Sequence, residues 1–220
     1  MDTRINKFVA QTTGLSRRRA DILIARSSVT INGRVAKTGE KVNNQDIVRL
    51  NGQLLKLQAN LLVMLNKPTG YICSRVSQGA PTVYKLLPTK YADLKLVGRL
   101  DKDSSGLLLL TNDGNLALQL THPRYCKIKS YLVELDKPLM PGDEKHILKG
   151  IKLEDGLSKL ELKRLNNKLW QVSMREGRNR QIRRTFDFLG YKVITLHRQT
   201  IGKYNLGNLE VGHYKVIANK

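Results

Sequence analysis

The apolar positions of this chain change period along its length. Ile5, Phe8, Val9 and Ala10 recur at helical spacing, and Gly14 ends that pattern. Ser16 is a good N-cap for a second helix through Arg17-Arg18-Arg19-Ala20-Asp21-Ile22-Leu23. Val29-Thr30-Ile31, Asn32-Gly33 and Arg34-Val35 then spell strand, turn, strand, the strongest short hairpin signal. Residues 46–50 alternate as another strand. Beyond residue 60 strands dominate. Residues 61–65 are a short apolar run closed by Asn66-Lys67-Pro68-Thr69-Gly70, a strand followed by a turn. Residues 82–87 form a short helix stopped by Pro88. Residues 94–97 lead into a loop of small residues, and Leu107-Leu108-Leu109-Leu110 follows it as a fully buried strand. A helix over 115–120 ends at His122-Pro123, and residues 129–135 alternate with period two. Residues 161–165 and 169–174 pair as a hairpin around Asn166-Asn167-Lys168. A later helix carries Phe186, Phe188 and Leu189 into the core. The class is α+β, with a small unit over residues 1–59 and a mixed, mainly antiparallel-sheet unit over residues 60–220.

Charge sets the partner. The 220 residues carry a formal charge of +21, and 40% are hydrophobic, enough to fold around a core. A globular chain this basic usually meets a polyanion. There is no apolar stretch near membrane-spanning length, so nucleic acid is the better expectation than lipid. Met1-Asp2-Thr3-Arg4 has no apolar signal region behind it, and a cytoplasmic monomer is expected. Cys73 and Cys126 lie far apart and read as free thiols; with four dispersed histidines they give no metal-binding pattern. Residues 1–58 hold 11 lysines and arginines against 4 acids, a net of +7, densest at Arg17, Arg18 and Arg19. On charge pattern alone, such a run is a solvated helix face.

Asp101 stands in the small-residue loop just before the leucine run, with Arg99 two positions earlier. In an extended loop the two side chains point to one side. As bare turn chemistry, Asp101 simply opens a strand. An acid held at the lip of a buried strand is also placed for catalysis, and Asp103 or Asp113 would be a second acid for a hydrolase. By β propensity alone, Tyr131 is a half-buried strand tyrosine. Lys67 is open between a surface charge and a functional one, and His197 reads as structural.

The wording of the whole stretch changes these readings. Residues 98–114, Gly-Arg-Leu-Asp-Lys-Asp-Ser-Ser-Gly-Leu-Leu-Leu-Leu-Thr-Asn-Asp-Gly, resemble the active-site motif of the RsuA-type pseudouridine synthases, the branch that also holds RluB, RluE and RluF. Leu65-Asn66-Lys67-Pro68-Thr69-Gly70, Lys129-Ser130-Tyr131-Leu132-Val133, Glu176-Gly177-Arg178-Asn179-Arg180-Gln181-Ile182-Arg183-Arg184 and Leu196-His197-Arg198 followed by Ile201-Gly202 match the same family in order. The resemblance implies isomerisation of a uridine within RNA, without cofactor: the ribose C1′–N1 bond breaks, the base turns, and C5 joins C1′. It implies that Asp101 is the essential carboxylate, attacking C1′ or taking a proton from C2′; the residues do not choose between these. It makes Tyr131 the active-site tyrosine, stacking on uracil with its hydroxyl near C5. Arg183 becomes the partner that keeps Asp101 ionised by a two-fold guanidinium pairing. Arg99 either fills the space left by the flipped uridine or binds phosphate. Arg178, Arg180, Arg184 and Arg198 are expected on an RNA-facing surface.

The first unit resembles the S4 RNA-binding domain at Arg4-Ile5-x-Lys7-Phe8, Gly14-x-Ser16-Arg17-Arg18-x-Ala20 and Val29-x-Ile31-Asn32-Gly33. That resemblance makes Lys7, Arg17, Arg18, Arg19 and Arg34 candidate phosphate contacts. The implied partner is ribosomal RNA or an assembly intermediate. The wording at residues 176–184 looks more like the large-subunit enzymes than the small-subunit one. A non-catalytic RNA-binding assembly factor on the same two units is the alternative reading, and a DNA-binding protein is a distant third.

Overall fold

The computed structural model describes residues 2–57 and 59–217; Met1, Gln58 and residues 218–220 of the two expected units lie outside the described residues. Contacts divide the chain into two compact units, one reaching Leu61 and taking in Asn112–Gly114, the other beginning at Leu62.

The first unit runs β1 (Thr3–Arg4), α1 (Ile5–Thr13), α2 (Arg17–Ala25), β2 (Val29–Ile31), β3 (Arg34–Val35), β4 (Lys41–Val42), β5 (Val48–Leu50) and β6 (Gln53–Leu54). Gly14 ends α1 at φ 75°, a left-handed C-cap, and the Ser16 hydroxyl accepts from the Arg19 N–H at 3.2 Å to start α2. Ile5, Phe8, Val9, Ala20 and Ile24 pack on Val29, Ile31 and Val48. Asn32 and Gly33 make the hairpin turn with φ of 50° and 87°. The strand expected over 46–50 begins only at Val48. Asp46 is diverted, because its carboxylate accepts from the Asn32 side chain and the Asn43 N–H, each at 2.8 Å.

From Leu62 the elements are β7 (Leu62–Lys67), β8 (Lys95–Val97), β9 (Ser105–Thr111), α3 (Gly114–Thr121), β10 (Lys129–Leu135), α4 (Pro141–Lys149), β11 (Ile151–Leu153), β12 (Gly156–Ser158), β13 (Glu161–Arg164), β14 (Leu169–Met174), α5 (Gln181–Phe188), β15 (Val193–Ile201), β16 (Tyr204–Asn205) and β17 (Tyr214–Ile217). Among the described residues nine of these strands form one sheet in the order β13-β14-β10-β15-β9-β7-β17, with β16 on β15 and β8 on β9. Its pairings are antiparallel except that of β15 with β9. Leu107 to Leu110 are all buried, since both faces of β9 are covered, and this is why four leucines replace an alternation. The helix expected over 82–87 is a 3-10 turn, Val83–Leu86. Too few residues separate Thr82 from Pro88 to nucleate an α-helix.

Phe188 is 64% exposed, not core. The buried stripe of α5 follows Ile182, Thr185, Phe186 and Leu189, the i, i+3, i+4, i+7 face, and Phe188 falls outside it.

The parallel join between β15 and β9 is short, His197 beside Ser105 and Arg198 beside Gly106. It links the β7–β9 half of the sheet to the β10–β14 half. Gly106 sits there at φ 103°, and a Cβ on it would lie 2.3 Å from the Arg198 carbonyl oxygen. Only glycine permits both that backbone angle and that approach.

Candidate active site

Asp101 lies in the loop between β8 and β9. Lys67, the last residue of β7, is fully buried beneath it. The Lys67 ammonium donates to the carbonyls of Asp101 at 3.1 Å, Ser104 at 2.7 Å and Pro68 at 2.9 Å. Burial pushes its pKa down, against the opposing charges of Asp101 and Asp103. The residue left open between surface and function is thus a staple for the loop. The Gly70 N–H donates to the Lys102 carbonyl at 2.8 Å, and the Ser104 N–H to the Asp101 carbonyl at 3.1 Å. Cys73 accepts a long contact, 3.4 Å, from the Leu100 N–H, and burial raises its thiol pKa.

The Asp101 side chain is about one-third exposed and faces a cleft of about 330 Å³. Arg99, Lys129, Tyr131, Arg178, Arg180 and Arg198 also line it, so five cations surround one carboxylate. Lys129 and Tyr131 reach the same wall because alternate residues of a strand share a face. Arg198 is directly opposite Tyr131 across the β10–β15 pairing.

The arginine beside Asp101 is not the expected one. Arg180 holds its Nη1 3.7 Å from the Asp101 carboxylate while forking two-fold onto Asp103, both contacts at 2.9 Å. Arg183 turns instead to Asp103, with Nε 3.3 Å from its carboxylate and Nη2 donating to its carbonyl at 2.9 Å. Its Nη1 donates to the Val193 carbonyl at 2.7 Å. The cause is local: Arg180 caps α5 in a left-handed conformation, φ 46°, and Arg183 follows nearly one turn later against β15. Burial alone would raise the Asp103 pKa, but the Arg180 hydrogen bond and the charges of Arg183 and Arg180 outweigh it and hold the carboxyl low. Asp103 is therefore committed to two guanidinium groups and does not serve as the second acid of a hydrolase.

The arginines expected on an RNA-facing surface are largely internal braces. Arg178 donates to the carbonyls of Asp155 at 2.7 Å and Leu157 at 3.0 Å and to the Glu176 carboxylate at 3.2 Å. Arg184 pairs with Asp155 at 2.6 Å. Arg198 is buried, its Nε donating to the Leu107 carbonyl at 2.7 Å and its Nη1 to the Arg99 carbonyl at 3.4 Å. Sequence reasoning gave Lys67 no settled role, Lys129 none and Arg198 a surface one. Period-two spacing from Tyr131 was the signal for Lys129, while the burial of Arg198 had none. His197, expected to be structural, holds its Nδ1 2.9 Å from the Ser105 hydroxyl.

In the first unit, Arg17, Arg18 and Arg19 are exposed at the start of α2, and Arg17 donates to the Asn6 side chain at 3.2 Å. Lys7 is half-buried on α1. Arg34 is exposed but engaged by the Glu40 carboxylate.

Comparison with known proteins agrees with this geometry. A family described as RNA pseudouridylate synthase matches residues 61–187. Ribosomal small subunit pseudouridine synthase A of Pasteurella multocida is 37% identical over 98% of this chain and 96% of its own. Ribosomal large subunit pseudouridine synthase B of Bacillus subtilis is 36% identical over 95% and 89%. A solved pseudouridylate synthase superposes with a TM-score of 0.70 at 34% identity, covering 98% of this chain and 96% of that one. With the Asp101 loop, Tyr131 and the cationic cleft in place, the chain belongs to the RNA pseudouridylate synthase family and is an enzyme of that kind.

Proposed function

We propose that the protein isomerises a specific uridine of ribosomal RNA to pseudouridine, with Asp101 as the essential carboxylate and Tyr131 as the base-stacking residue. The convergence of Asp101 and Tyr131 on one cationic cleft carries this reading. A stacked base hides its glycosidic bond, so the uridine must leave the helix, at a cost of a few kcal/mol. The cleft supplies an aromatic face for the base and cations for the backbone. Arg99, exposed at its rim, is the residue we assign to the vacated stack. Arg180 is assigned as the cation that keeps Asp101 company, and Arg183 acts through Asp103 by fixing where Arg180 stands.

The first unit is assigned as an S4-like RNA-binding module. Three arginines at the N-terminus of α2 oppose the helix dipole, and a bound phosphate relieves that opposition. Relatives named for the small and the large ribosomal subunit lie at nearly equal identity. The wording at residues 176–184 favours the large subunit. Cytoplasmic rRNA, free or within an assembly intermediate, is the partner this reading requires, and the protein acts on it as a monomer.

The test is to map pseudouridine across both rRNAs of a strain lacking the protein, with wild-type and Asp101→Asn forms returned in parallel. One site lost, and restored only by the wild type, supports the proposal. The Asn variant is expected to bind RNA within about threefold of wild type and to form no pseudouridine, since a neutral amide neither attacks nor takes a proton. Restoration by Asp101→Asn would end the assignment of Asp101. No lost site would favour the non-catalytic reading or a substrate outside the ribosome.

A further inference from the structure

Arg198 is anomalous. It is 3% exposed, yet it forms no ion pair with any carboxylate of the described residues. Two of its nitrogens donate to backbone carbonyls, and its Nη2 is buried without a hydrogen-bond partner. A buried, uncompensated guanidinium is costly, so a protein that keeps one at a cleft wall has a use for its charge. Lys129 stands in the same wall. Its ammonium makes one hydrogen bond, to the Glu176 carbonyl at 3.1 Å, of the three it can donate. Burial and the neighbouring Arg198 charge both push its pKa down, and the smaller opposing pull of the Glu176 carboxylate does not offset them, so the two cations repel each other across the wall.

Their position says what the charge is for. Arg198 is directly across the strand pairing from Tyr131, and Lys129 is two residues before Tyr131 on the same strand. Arg198 and Tyr131 so placed share a face at about 5 Å between Cβ atoms, and Lys129 follows on that face about 7 Å along the strand. A base stacked on Tyr131 thus has Arg198 beside it on the neighbouring strand and Lys129 beside it along its own strand. The remaining cleft arginines that touch carboxylates, Arg178 and Arg180, are already spent on Asp155, Glu176 and Asp103.

We infer that Arg198, assisted by Lys129, takes up the negative charge that appears on the uracil ring when its bond to ribose breaks. This rests on the pseudouridine synthase reading of the cleft. In that step the C1′–N1 electron pair stays with the base, giving a uracil anion whose charge spreads to its carbonyl oxygens. The ribose carbon is taken by the Asp101 carboxylate, or, in the elimination route, Asp101 accepts the C2′ proton. Either way the anion forms on the base, and a fixed cation in a water-poor site stabilises it without reorganising. The charge leaves the base when C5 attacks C1′: in the first route that attack displaces the Asp101 carboxylate, in the second C2′ takes its proton back from Asp101, and in both the C5 proton is then lost and N1 gains one.

The test varies the leaving group. An RNA stem-loop carrying the mapped uridine is made with uridine or 5-fluorouridine at that position; fluorine makes the base a more stable anion. Single-turnover loss of the N-glycosidic nucleoside is measured for wild type, Arg198→Gln, Arg198→Lys and Lys129→Met. Arg198→Gln is expected to slow uridine by about 100-fold, and to raise the fluorouridine-to-uridine rate ratio by about tenfold over wild type. Arg198→Lys is expected to raise the ratio less, because it keeps the charge. If Arg198→Gln does not fold, Lys129→Met carries the test, with a rise in the ratio of about threefold expected. An unchanged ratio in the folded variants overturns the inference, since a merely structural defect slows both substrates alike. So does a loss confined to RNA affinity, with a salt slope reduced by about one, which would mark a phosphate contact. A wild type that converts neither RNA refutes the underlying reading instead.

Discussion

Gly106→Ala is the sharpest probe of how the fold makes the site. The added Cβ would stand 2.3 Å from the Arg198 carbonyl oxygen, 2.5 Å from its nitrogen and 2.9 Å from its carbonyl carbon. All three are backbone atoms, so no side chain can swing aside. Ordinary contact requires β9 and β15 to part by about 1 Å, and such overpacking costs about 1–3 kcal/mol. Holding a non-glycine residue at φ 103° adds about 1–3 kcal/mol. The sum, about 4 kcal/mol, predicts a melting temperature about 10 °C lower for a chain of this size. The functional loss is larger than stability alone implies. Asp101 hangs from the β9 side of this join, and Tyr131 from the β15 side. A displacement of about 1 Å between reacting groups costs about 100-fold in rate. Thermal unfolding and single-turnover pseudouridine formation below the lowered melting point check both halves. Gly142→Ala is the control: it lies in α4, and a Cβ there meets nothing within 4 Å. The reasoning fails if Gly106→Ala melts within about 2 °C of wild type, as the control should, and turns over at the same rate.

Three further outcomes follow from the same contacts. Lys67→Met leaves three carbonyls of the Asp101 loop without their charged donor and is expected to cost about 3 kcal/mol in a urea titration, with activity falling further. Asp103→Asn breaks the two-fold pairing that holds Arg180, while Arg183 keeps the carbonyls of residues 103 and 193, and lowers the rate without the loss of RNA binding that a phosphate contact would show. Because the folded Asp103 pKa is depressed below its usual value near 3.8, the stability it contributes is complete above that value and lost as pH falls through the folded pKa. The difference in melting temperature between wild type and Asp103→Asn should therefore hold from pH 5 to 8 and shrink below about pH 4. Replacing Arg17, Arg18 and Arg19 together with glutamine should weaken rRNA binding and reduce the salt slope by about two, leaving the rate at saturating enzyme unchanged.

Much of this protein is written in local pattern. The helix pair, the Asn32–Gly33 hairpin, the buried leucine strand and the alternating strand of Tyr131 follow from propensity, capping and period, each settled within a few residues. The Asp101 loop was equally visible, because its small residues and flanking strand lie in one stretch. What the chain does not state locally is which partner each charge finds. Motif order pairs Arg183 with Asp101, whereas Arg180, in the left-handed cap of α5, reaches Asp101 and Arg183 meets Asp103. Arg198 reads as surface among the cations clustered near Arg183 in sequence; its burial arises from the parallel join of β15 with β9, made where Gly106 lets two strands distant in sequence close on each other. Lys67 acquires its role only when residues 101 and 104 fold over it. Short-range patterning therefore determined the elements and the candidate chemistry, while long-range strand pairing decided the electrostatics of the site, since charges interact through space and not along the chain.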